Sequence, residues 1–121
     1  MIKISVTGED RLARRLAKLE RDIRSGVAKA LREGAEVIAE SARERVADQT
    51  DGTGDLEESI RVVTAPDGLS ARVEATAPHA AHVEFGTVDQ PAQPFMTPAV
   101  EENRQAVVDG VRDAVRNAIK R

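Results

Sequence analysis

His79, His82 and Glu84 are the residues of this 121-residue chain whose types and spacing come nearest to metal chemistry. Two imidazole nitrogens and a carboxylate can meet a zinc ion, or the carboxylate can orient a water on it. The spacing works against that: a structural site needs a fourth ligand, and catalytic zincins place their histidines at helical spacing, which this segment lacks. Surface or interface histidines are the simpler reading. The chain has no cysteine, so thiolate metal sites and disulfides are excluded and the redox compartment stays open. No catalytic residue, metal ligand or cofactor is assigned.

Two other stretches bear on chemistry. Gly52 and Gly54 stand near a helix, as glycines of phosphate-binding loops do, but no lysine follows them in a Walker pattern. In isolation the stretch from Thr53 to Ile60 is a flexible connector. Arg11, Arg14, Arg15, Lys18, Arg21 and Arg24 make the first helix basic, and at 3.6 residues per turn Arg11, Arg14, Lys18 and Arg21 share one face. That face is either solvated and paired with Glu9, Asp10, Glu20 and Asp22, or turned to DNA or an acidic partner. No stacking aromatics accompany it, so it is not a single-strand reader of the usual kind. Lys+Arg 18 against Asp+Glu 21 leaves a net charge of −3, which gives no general drive toward nucleic acid.

The elements that must position these residues follow from apolar spacing. Ile2, Ile4 and Val6 alternate with polar residues, the period of a short strand. Leu12, Leu16, Leu19, Ile23, Val27, Leu31, Ile38 and Val46 then recur at close to helical spacing. Ser25-Gly26 interrupts them, so the sequence predicts two helices, near 9–23 and 26–48, in preference to one bent helix. A polar loop over 49–55 leads to a hairpin. Its strands are Ile60, Val62 and Thr64, then Leu69, Ala71, Val73 and Ala75, and its turn is Pro66-Asp67-Gly68. Ala80 to Phe85 fits either a helical turn or a third strand. A closing helix starts at Thr97-Pro98, with threonine as cap and Glu101-Glu102 at the positive end, and carries Val100, Val107, Val111, Val115, Ala118 and Ile119 on one stripe.

The expected class is α+β, with N-terminal helices and a C-terminal helix packed on a small, mostly antiparallel sheet. The length fits one domain, 1–121, with an extended Pro-rich loop at about 86–97. Its core must come from small aliphatics, because the chain has two phenylalanines and no Trp or Tyr. No apolar run is long enough for a signal peptide or a membrane span, so a soluble product of the cytoplasm, with no membrane partner, is expected.

Both phenylalanines fall in one segment, Val83-Glu84-Phe85-Gly86-Thr87 followed by Pro91-Ala92-Gln93-Pro94-Phe95-Met96-Thr97-Pro98-Ala99. Phe85 can fill the core at a strand end or pack the Pro-rich loop on its own subunit or a neighbour. Phe95-Met96 can be core or an apolar plug in a partner's groove. Glu84 is expected to be solvated or ion-paired.

This segment resembles the signature of the minor tail-component family of long-tailed bacteriophages, also known as tail completion or neck proteins. Thr53, Gly54, Leu56, Ser59 and Ile60 resemble a second stretch of that family, Thr-Gly-x-Leu-x-x-Ser-Ile, in the expected order. The chain departs from the pattern before Val83, where an aromatic is expected near His79 to Ala81. The resemblance implies a structural virion protein of the tail or neck, not an enzyme, needed for tail completion or head-to-tail joining. It implies a ring of copies, six matching the symmetry of the tail tube, with the tail terminator, tail tube or head-completion proteins as neighbours. A ring needs two different complementary surfaces on each subunit. The expected interface residues are Glu84, Phe85, Gly86, Thr87, Pro91, Pro94, Phe95, Met96 and Pro98. The competing reading is a DNA-binding accessory protein that meets passing DNA through Arg11, Arg14, Lys18 and Arg21.

Overall fold

A computed structural model describes residues 7–49 and 54–120. The expected strand over Ile2, Ile4 and Val6 lies outside them, as do Thr53 and most of the polar connector. The described elements are α1 (Thr7–Gln49), α2 (Asp55–Ser59), the strands β1 (Ile60–Thr64) and β2 (Ala71–Ala75), α3 (Ala80–Phe85) and α4 (Met96–Lys120). They form an α+β fold with a two-stranded antiparallel sheet and long helices at both ends.

The two expected N-terminal helices are one helix of 43 residues. Gly26 does not break it: the position faces α4, where even a Cβ would make only ordinary contact, 3.5 Å from the Ala114 Cβ. Gly34 is where the packing needs a glycine, since a Cβ there would lie 2.8 Å from Val107 Cγ2. A mid-helix glycine costs about 1 kcal/mol in propensity, and close helix packing offsets it. Pairs at i,i+4 add local support: Lys18 with Asp22 at 2.8 Å and Arg24 with Glu20 at 3.1 Å. Gly34 opposite Val107 and Gly26 opposite Ala114 make α1 and α4 antiparallel. An ion pair from Arg45 to Glu102 closes the far end of the pair. At this pace Lys120 lies opposite about residue 20 of α1. Residues 11–18, beyond that point, are all exposed.

The supposed connector carries structure as well. After Gly54 the chain forms α2, which buries Leu56 at 4% exposure, and Ser59 Oγ closes the turn on the Leu56 carbonyl at 2.7 Å. The hairpin is as expected in strands and turn, with Val62 opposite Val73. Its return strand begins at Ala71, leaving Leu69 in the loop, where Asp67 Oδ1 accepts from the Leu69 N–H at 2.9 Å. On the outer face, the Arg72 hydrogen bond, with another from Arg61, holds the Glu74 carboxyl below its ordinary range. Arg43 of α1 donates to the Ile60 carbonyl at 2.7 Å and ties the start of β1 to the helix.

Among the described residues one core cluster results: Ala39, Ala42, Val46, Leu56, Ile60, Ala80, Phe95 and Ala99, with Val62, Val73 and Val83 packed against it. It occupies the second half of α1, the hairpin and the start of α4. The opposite end is different. There Leu12 and Leu16, expected on the buried stripe, are each 56% exposed, and Ile119 of α4 is 59% exposed. No helix among the described residues is long and apolar enough to cross a membrane.

Candidate functional site

The segment that the sequence marked out is a short helix and a folded loop leading into α4. α3 is helical, which resolves the choice between helix and strand. Successive residues on a helix point about 100° apart, so neighbours on α3 meet different surroundings. Val83 packs on the core, Glu84 is buried at 8% exposure, and Phe85 stands out at 78%.

Gly86 then turns the chain with φ 79 and ψ 174, a conformation open essentially to glycine. A Cβ there would lie 2.8 Å from the Ala92 backbone nitrogen, so the loop folds directly back on this residue. Thr87 N–H donates to the Gln90 carbonyl at 2.9 Å, Gln90 N–H to Thr87 Oγ1 at 3.1 Å, and Gln93 N–H to the Val83 carbonyl at 2.8 Å. The loop expected to be extended is therefore compact, with Val88 fully exposed and Pro91 and Pro94 on its outer side. Prolines here limit the alternatives open to the backbone.

The far end of the loop is anchored inside. Phe95 is 1% exposed and belongs to the core cluster, so between core and interface the structure places it in the core of its own chain. α4 starts at Met96, one residue before the expected cap Thr97, and Pro98 sits in its first turn, where a missing N–H leaves no bond unmade. The cap comes from elsewhere: Glu84 Oε1 accepts from the Met96 N–H at 2.7 Å. A carboxylate at a helix N-terminus satisfies an orphan donor and meets the positive end of the dipole. Glu84 is thus a buried link between α3 and α4, not the solvated or ion-paired residue expected. Glu101 and Glu102 lie beyond the first turn, and Glu102 is paired with Arg45.

This geometry separates the three candidate ligands. His79 and His82 are exposed, whereas Glu84 points at α4. Among the described residues no three His, Cys, Asp or Glu side chains are placed to share a metal ion. The basic residues Arg11, Arg14, Lys18 and Arg21 are exposed on α1, with Lys18 drawn to Asp22.

Sequence reasoning missed two features. The Glu84 cap joins residues 12 apart through a loop, and no local pattern signals it. An apolar groove on α1, lined by Leu16, Leu19, Ile23, Val27 and Leu69, depends on where the hairpin tip docks. The tip is set there by Gly68, whose Cβ position lies 2.8 Å from Ala28 Cβ.

No match was found among curated proteins or solved structures. A family model described as "Bacteriophage HK97-gp10, putative tail-component" matches residues 10–86. The match takes in α1, α2, the hairpin and α3 and stops at Gly86, before the Pro-Phe-Met segment and α4. Since it covers more than half of the sequence, this chain belongs to the HK97-gp10-like family of phage tail components.

Proposed function

We propose that this protein is a ring-forming structural subunit that completes the tail, at or near its junction with the head. A tail-component family supports a structural role in the virion alongside other virion proteins. The observation that carries the finer reading is the loop after α3. It is braced by hydrogen bonds, yet it exposes Phe85 at 78% and Val88 completely. Exposing one of only two phenylalanines on a pre-ordered loop fits a contact surface, since aromatics concentrate at interface centres and rigidity lowers the ordering cost of binding. The interface set expected from the sequence then divides. Phe85, Thr87, Pro91 and Pro94 face outward, while Glu84, Gly86, Phe95, Met96 and Pro98 hold the loop in place.

Electron microscopy of particles made without this gene, beside a complemented control, tests the role. Filled heads beside separate tails are the expected result, and normal infectious particles overturn it. Complementation with Phe85→Asp tests the loop: the purified variant stays folded and particles remain unjoined.

A second reading rests on the exposed basic face of α1. If the protein grips DNA, duplex affinity falls steeply with salt and is lost when Arg14 and Lys18 are neutralised. No binding at low salt removes this reading.

A further inference from the structure

Charge is sorted along this molecule. Residues 11–34 hold eight Lys or Arg against three Asp or Glu, whereas residues 35–106 hold five against fourteen. The first group lies on α1, projecting over residues 11–18 and packed on α4 from about residue 20, and the second contains the core cluster and the loop with Phe85 and Val88. On the basic half lies the groove between α1 and Leu69, about 420 Å³, within the range (~300–1,000 Å³) of pockets that enclose small ligands. Its walls are mainly Leu16, Leu19, Ile23, Val27 and Leu69, and Leu16 is 56% exposed. The two parts are complementary: an apolar groove on the half of α1 that carries mostly cationic residues, and a projecting apolar pair on the part of the chain that carries mostly acidic ones.

We propose that the groove on α1 receives Phe85 and Val88 of a second copy of this chain, with the basic half of one α1 against the acidic half of its neighbour. The pairing rests on the ring reading above and names its two surfaces. It is heterologous, as a closed ring of identical subunits requires. Pairing arm to arm instead would set eight cationic side chains against eight more, so like charge disfavours the symmetric alternative.

The chain has no cysteine, so engineered pairs can be read on an otherwise native background. Leu16→Cys and Val88→Cys are both at exposed positions. An equal mixture under mild oxidation is expected to give a crosslinked dimer at least ten-fold above either variant alone, and the doubly substituted chain a ladder ending in a closed species. Raising salt weakens the crosslink, and Phe85→Ser in the Val88→Cys chain removes most of it. Val108→Cys, exposed on α4, serves as the control partner and is expected not to pair with Val88→Cys. Val88 pairing with itself or with Val108 in place of Leu16 overturns the proposal, as does a mixture that stays uncrosslinked at the highest attainable concentration. Oligomers that form without the Leu16–Val88 bond overturn this docking and leave the ring reading intact. The deletion phenotype judges the tail-completion role separately.

Discussion

The two halves of α1 belong to one uninterrupted helix, yet they meet different surroundings. From Ile38 to Val46 it is covered by the hairpin, α2 and the start of α4, and Ala39 and Ala42 are completely buried. From Arg11 to Lys18 every residue is exposed, including Leu12 and Leu16. Both halves carry apolar residues at helical spacing, so spacing alone does not separate a core face from an uncovered one. Burial requires a partner element, and α4 ends before it reaches the first turns of α1. The lower half is a folding unit. The upper half is a projecting surface, held helical by α4 along part of its length and by pairs such as Lys18 with Asp22.

Substitutions in the two halves should differ accordingly. Phe95→Ala in the core is expected to cost about 3–5 kcal/mol, measured by chemical denaturation, because it removes the largest fully buried side chain. Gly86→Ala follows at about 1–3 kcal/mol, since it combines an unfavourable backbone conformation with contact on Ala92. Glu84→Ala is expected to cost about 1–2 kcal/mol by uncapping α4, with Glu84→Gln recovering most of it, because an amide oxygen can still accept from Met96. Leu12→Ser on the arm should move stability by less than about 0.5 kcal/mol in the same assay. A loss at Leu12 as large as that at Phe95 would erase the distinction between the halves.

The hairpin and the closing helix were legible in the sequence because their signals are local: alternation, a Pro-Asp-Gly turn, and a valine stripe. The break expected at Gly26 is absent from α1, since a glycine that punctuates a chain and one lying inside a helix that packs on another look alike until Ala114 is seen beside it. Within the site, Phe85 and Phe95 were singled out together, but the sequence left each open to core or contact. Their separation depends on tertiary geometry: Phe85 ends α3 on its outer side, whereas Phe95 precedes α4 on its inner side. Glu84 and the groove beside Leu69 were illegible for the same reason, since each is completed by a residue distant in sequence.

The clamp formed by Gln93 on Val83 and Met96 on Glu84 has a consequence for how such a protein can diverge. It fastens the base of the loop, so the tip at Val88-Asp89 can change in residue or length without transmitting strain to Phe95. On the proposed ring reading, specificity for a neighbour can then be rewritten at the tip while the fold beneath it stays under separate selection.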